Sequence, residues 1–198
     1  MWKKYKWWIV GGIALLVIGT TTTLIILNKR RKGNRNPEKY QDKNKNIIVG
    51  DSQTPFIAKN TTKAIILSSE GSEEVLWKGG KNLSWLRDAV KKYKESPDIN
   101  AVIINIGTNG GFSKKDDVNG LFEALKKTFP NADFFAVKGS WGWGGNKDKT
   151  EQMVNEYYNL FAEKGAKIIE PAIGKVQDPH GNLPIYAEIG KSIDKALS

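Results

Sequence analysis

Cysteine is absent from the chain, and histidine occurs once, at His180. Together these counts exclude thiolate nucleophiles, zinc sites built on Cys and His, and disulfide frameworks. Any catalysis must run on hydroxyls, carboxylates, amines and a single imidazole, and nothing in the sequence calls for a metal or a cofactor. Acidic residues are missing from the N-terminal end, where Lys3, Lys4, Lys6, Lys29, Arg30, Arg31, Lys32 and Arg35 all precede the first carboxylate, Glu38. Setting those eight aside, the rest of the 31 basic residues nearly balance the 21 acidic ones, so the net charge of +10 belongs to one end of the chain. A charge so placed gives no reason to expect a nucleic-acid partner.

Charge of either sign is also absent from Trp7 to Leu27, which reads WWIVGGIALLVIGTTTTLIIL. At a rise of about 1.5 Å per residue, a helix of that length crosses the hydrocarbon core. Trp2, Tyr5, Trp7 and Trp8 gather at one end, where amphipathic rings favour the headgroup boundary. The run is followed by Asn28-Lys29-Arg30-Arg31-Lys32 rather than by the small residues of a cleavage site. The sequence therefore predicts a basic tail (1–6), a retained transmembrane helix (7–27) with the lipid bilayer as its partner, a polar tether (28–45) and a domain (46–198). The basic flanks suit anionic headgroups. Counting them slightly favours a cytoplasmic domain, whereas the short lysine-led tail resembles that of an exporting signal anchor.

Within the domain, short apolar runs alternate with amphipathic stretches, which predicts a parallel α/β sheet. Five strands are expected, at Asn46 to Val49, Ala64 to Leu67, Ala101 to Ile106, Asp133 to Val137 and Lys167 to Ile169. That number suits a flavodoxin-like three-layer α/β/α layout. Leu83, Leu86, Val90 and Tyr93 recur at helical spacing, with Arg87, Asp88, Lys91 and Lys92 on the opposite face. Further helices are expected over Val118 to Phe129, Glu151 to Lys164 and Pro184 to Leu197.

At the end of the first expected strand stands Gly50-Asp51-Ser52-Gln53, followed by Thr54-Pro55 and an expected helix. A serine at a strand-to-helix turn holds its hydroxyl at the carboxyl edge of the sheet, where open α/β folds place their sites. A helix N-terminus beneath it would favour the negative charge that forms on attack. Taken alone, these three residues are a weak signal and fit a capping Ser or Asp at a helix start better.

Three further motifs follow in chain order: Trp77-Lys78-Gly79-Gly80-Lys81-Asn82, Gly107-Thr108-Asn109-Gly110, and Asp178-Pro179-His180 with Tyr186 beyond it. With the first motif, this series resembles the SGNH, or GDSL-type, hydrolase family over the whole domain at motif level. The resemblance implies a serine esterase with Ser52 as nucleophile and His180 as base. Its oxyanion would be held by the backbone N–H groups of Ser52 and Gly80, with Gly79 the less favoured neighbour, and by the side-chain amide of Asn109. The family's Asp-x-x-His is one residue shorter here, which leaves open a Ser52–His180 dyad or a triad completed by Asp178. The acid of the family's G-x-N-D turn is replaced by Gly110. The resemblance also implies an ester substrate, such as an O-acetylated glycan or peptidoglycan, and an exported domain.

The loop Gly139-Ser140-Trp141-Gly142-Trp143-Gly144-Gly145 follows the fourth expected strand. Trp141 and Trp143 could stack on a sugar or an acyl chain, or one could pack on the sheet while the other caps it. Two other functions compete with a membrane-anchored acyl or acetyl esterase. One is a catalytically idle glycan-binding module of the same fold, and the other is a lipase or thioesterase. A nucleotide-binding module is disfavoured by the lack of a glycine-rich phosphate loop at the first turn.

Overall fold

The computed structural model describes residues 37–67, 75–176, 178–181 and 183–198. Four strands pair in parallel in their sequence order: β1 (Asn46–Gly50), β2 (Ala101–Asn105), β3 (Asp133–Val137) and β4 (Lys167–Ile169). Parallel strands buried on both faces read as continuous apolar runs, and β1 and β2 are buried at every position. The helices are α1 (Thr54–Ala58), α2 (Leu83–Lys92), α3 (Val118–Thr128), α4 (Glu151–Glu163) and α5 (Leu183–Ala196).

Alternation along the strands sorts the core into two layers. Ile47, Val49, Val102, Ile104 and Ala136 pack with Leu86 and Val90 of α2, Leu121 and Leu125 of α3, and Tyr157 and Phe161 of α4. Ile48, Ile103, Phe135 and Val137 point the other way, onto Ile57 of α1 and Ile189 and Ile193 of α5. The sheet thus lies between two helical layers. Asn82, Asp117 and Thr150 each accept a hydrogen bond from a first-turn N–H, and so start α2, α3 and α4 where the apolar periodicity starts.

Among the described residues, four strands stand where five were expected. The segment Ala64 to Leu67 meets β1 only through Ile65, which exchanges hydrogen bonds with Ile48 N–H and the Asn46 carbonyl. The chain then leaves the edge, and Leu67 is exposed. Contact with β1 resumes at Trp77, where Gly50 N–H bonds to the Leu76 carbonyl. The outer neighbour of β1 is therefore split into two isolated bridges rather than forming a ladder.

Residues 37–45, expected in the tether, are packed into the unit that runs from Pro37 to Ser198. Tyr40 is buried against Phe135, edge to face, and its hydroxyl bonds to Asp133. The Tyr40 and Lys39 carbonyls accept from the side chains of Asn46 and Asn100. Composition concealed this, because one aromatic ring among polar neighbours carries the anchoring. The expected span, Trp7 to Leu27, lies outside the described residues. Among the described residues, no helix is long and apolar enough to cross a membrane.

Removing the ring in Tyr40→Ala is expected to lower the unfolding free energy by about 3 kcal/mol. The exposed change Lys43→Ala should move it by less than about 0.5 kcal/mol. Chemical denaturation of the two variants checks the contrast, and equal stability would return residues 37–45 to the tether.

Candidate active site

Apart from Tyr186, which lies in α5, the residues of the sequence motifs follow the carboxyl end of a strand or of the bridge segment beside β1. Ser52 follows β1, Gly79 and Gly80 follow the bridge at Trp77, Asn109 follows β2, the tryptophan loop follows β3, and Asp178 and His180 follow β4. Parallel strands bring these turns to one edge of the sheet.

The turn carrying Ser52 depends on Gly50, whose φ is +151°. A Cβ there would stand 1.8 Å from the Asn105 carbonyl oxygen, so only glycine lets the end of β1 pass that close to β2. The Asn105 carbonyl also accepts from Asp51 N–H at 3.1 Å, which fixes the turn. The helix that follows, α1, has only five residues, so its dipole contributes less to Ser52 than the sequence suggested.

Ser52 Oγ lies 2.9 Å from His180 Nε2, and His180 Nδ1 lies 2.6 Å from Asp178 Oδ1. Asp178 Oδ1 also accepts from the His180 backbone N–H at 3.0 Å. Both contacts hold the Asp178 carboxyl below its ordinary range. An ionised carboxylate only accepts, so the imidazole proton sits on Nδ1 and the Nε2 lone pair faces the serine hydroxyl. The shortened Asp-x-His spacing therefore does bring the carboxylate to the ring. The short helical turn Pro179–Gly181 folds the two side chains onto one side. Asp178 remains 61% exposed and His180 38%, so this end of the relay is wet.

Asn109 Nδ2 donates to the Lys81 carbonyl at 3.2 Å and, at 3.4 Å, to Asp51 Oδ2. These bonds tie the Gly107–Gly110 turn to the glycine loop on one side and to the serine turn on the other. Gly80 takes a left-handed φ of +69°, with open space where a Cβ would be. Among the described residues, neither the Ser52 nor the Gly80 backbone N–H has a hydrogen-bond partner, so both donors are free. Gly79 precedes Gly80, two residues beyond the Trp77 bridge.

The two tryptophans part company. Trp141 is buried, its ring lies under the Lys138 ammonium, and its carbonyl accepts from Val176 N–H. The residue is 6% exposed, the packed arrangement that one of the two sequence readings allowed for. Trp143 is half-exposed, with its ring centroid 5.9 Å from that of His180. On a third element, Phe56 of α1 stands 6.3 Å from the same imidazole and stacks on Tyr186. Phe56 was not singled out in the sequence.

Asp51 is the other unforeseen participant. It is 1% exposed, and its Oδ1 accepts from Gln53 N–H at 3.0 Å and from Asn105 Nδ2 at 3.3 Å. Burial outweighs these bonds and the nearby imidazole, and pushes the carboxyl up to about 6. A carboxyl whose folded pKa exceeds its unfolded value costs stability once the unfolded chain ionises, with the full cost reached above the folded value. Stability is therefore expected to fall from about pH 4 to about pH 7 relative to Asp51→Asn, by a few kcal/mol on the order of 1.4 per pKa unit. Denaturation of both proteins across that range checks the trend. A difference that stays flat or reverses would mean that the carboxylate is fully compensated in the fold.

No protein-family model matches the chain, and no curated protein matches it in sequence. Among solved structures, a candidate platelet activating factor from Streptococcus pneumoniae superposes with a TM-score of 0.56 at 11% identity, over 93% of this chain and 99% of that one. A candidate GDSL-like lipase from Bacteroides uniformis gives 0.52 at 14% identity, over 79% and 97%. Axe2, an acetylxylan esterase from Geobacillus stearothermophilus, gives 0.51 at 10% identity, over 77% and 93%. At such identities the likeness shows the fold: the domain shares the three-layer α/β architecture of these proteins.

Proposed function

We propose that the protein is a serine ester hydrolase of the SGNH type that removes an acyl or acetyl group, and that residues 7–27 anchor it in a membrane. The observation that carries this reading is the chain of contacts Ser52 Oγ to His180 Nε2 (2.9 Å) and His180 Nδ1 to Asp178 Oδ1 (2.6 Å). It involves the single imidazole of the sequence.

In the first half-reaction Ser52 Oγ bonds to the ester carbonyl carbon as its proton passes to His180 Nε2. The carbonyl oxygen takes the negative charge and accepts from Ser52 N–H, Gly80 N–H and Asn109 Nδ2. One of the Asn109 bonds is long, at 3.4 Å, so that donor can turn to the oxyanion at small cost. When the tetrahedral adduct collapses, the carbon–oxygen bond to the leaving alcohol breaks and the alkoxide takes the proton from Nε2. Water, deprotonated by His180, then attacks the acyl-serine; as the carbon–oxygen bond to Ser52 breaks, Ser52 Oγ takes that proton back from Nε2 and the acid leaves. Asp178 holds the proton-bearing Nδ1 and stabilises the imidazolium formed in each half. No step needs a metal or a cofactor.

Acylated glycan or peptidoglycan is the substrate class that suits an open, wet site on an exported domain. The acetylxylan esterase among the structural neighbours has a named substrate of this kind.

Wild-type protein is expected to hydrolyse p-nitrophenyl acetate, and Ser52→Ala to abolish turnover while leaving the circular dichroism spectrum unchanged. Turnover that survives in that variant removes Ser52 from the mechanism. Because Asp178 is largely exposed and water can partly replace it, Asp178→Asn should lower kcat by about a hundredfold, with KM little changed. A loss equal to that of His180→Ala would indicate a carboxylate as indispensable as the base. Full-length protein should stay with membranes after carbonate washing; release by high salt alone would leave only the basic flanks as the attachment.

A further inference from the structure

His180 stands on a short turn at the wet edge of the sheet, and its bond to Asp178 lies within that same turn. A hydrogen bond inside one turn moves with the turn, so it cannot hold the imidazole against the rest of the domain. Among the described residues, the ring contacts that reach His180 from other elements are Trp143 at 5.9 Å and 83°, and Phe56 at 6.3 Å and 88°, both edge to face. Phe56 is backed by Tyr186, stacked at 5.1 Å.

Trp143 is itself held. Its indole N–H donates to Ser140 Oγ at 3.1 Å, and Ser140 is 1% exposed. The Trp143 carbonyl accepts from Asn146 N–H at 2.8 Å. The Asn146 side chain, 3% exposed, donates to the Thr108 carbonyl beside Asn109. Through Trp141 the same loop pairs with Lys175 and Val176, just before Asp178. The loop therefore joins the Asn109 turn to the His180 segment, and its one half-exposed ring is aimed at the imidazole.

We propose that Trp143, locked by Ser140, is a positioning residue that with Phe56 clamps the His180 imidazole, keeping Nε2 directed at Ser52 Oγ. The proposal rests on the ester-hydrolase reading for its effect on rate, but not for its geometry. Restricting rotation of the base raises the fraction of enzyme in which proton transfer can occur, and that effect appears in kcat. A ring that bound substrate instead would act on KM.

His180 is the sole histidine, so in the untagged full-length protein its imidazole gives one set of NMR signals. Ser140→Ala removes only the lock, leaving both rings in place. It is expected to broaden or split the imidazole signals and to lower kcat for p-nitrophenyl acetate about tenfold, with KM within about twofold. Trp143→Ala should do the same more strongly, and Trp143→Phe, which keeps a ring, less. Unaltered imidazole signals in Ser140→Ala and Trp143→Ala, apart from the lost ring-current shift in the latter, would overturn the clamp. So would a raised KM at unchanged kcat, which would make Trp143 a substrate platform. If the wild-type protein hydrolyses no ester, the esterase reading fails, while the spectra of Ser140→Ala still decide the clamp.

Discussion

The carbonyl oxygen of Asn105 occupies the space that a side chain on residue 50 would need, and the rest of the site depends on that close approach. Because position 50 is glycine, the end of β1 can lie against the end of β2, with Asp51 N–H bonded to the same carbonyl. The two turns that follow are thereby set side by side, one carrying Ser52 and the other Asn109. The parallel register, Gly50 opposite Asn105, fixes their level along the sheet. With β3 and β4 added in order, the tryptophan loop and the Asp178–His180 turn arrive at the same edge without a long connection.

That arrangement buries a carboxylate. Asp51 joins the serine turn to β2 through Asn105 and to the amide of Asn109, and these bonds do not fully offset its removal from water. The fold keeps a group that opposes its stability at neutral pH, at the one place where three active-edge segments must hold a common geometry. Asp178 is the converse case: exposed, held low by the contacts with His180, and nearly free of desolvation cost. Two acids two residues from, or next to, the reacting pair thus face opposite environments. The buried one organises donors, and the exposed one meets the imidazole.

Most of the three-layer frame was legible because parallel strands buried on both faces and amphipathic helices have distinct periods. Val49, Ile104 and Phe135 mark the strands as clearly as Leu86 and Val90 mark a helix. The fifth strand was misread because Ala64 to Leu67 is apolar enough for a strand, while its pairing depends on where the chain leaves β1, which is a tertiary matter. Tyr40 shows the opposite failure: a single ring in a polar stretch has no period to read. At the site, motif order brought Ser52, Asn109 and His180 together on paper. The spacing of Asp178 left its reach undecided until the turn geometry was seen. Phe56, and Ser140 as the partner of Trp143, had no sequence signal, since edge contacts between rings on different loops leave no pattern along the chain. Residues 7–27, on whose apolar run, aromatic end and basic flanks the membrane assignment rests, lie outside the described residues.

The central claim is that Ser52 is a nucleophile activated by His180, and its most direct test is covalent capture. A fluorophosphonate reacts only with a serine whose hydroxyl is deprotonated as it attacks, so peptide mapping after labelling reads activation at a single atom. The account predicts a single adduct on the peptide containing Ser52, lost in His180→Ala and diminished in Asp178→Asn. No adduct on Ser52 in the folded wild-type protein, or equal labelling with and without His180, would contradict it.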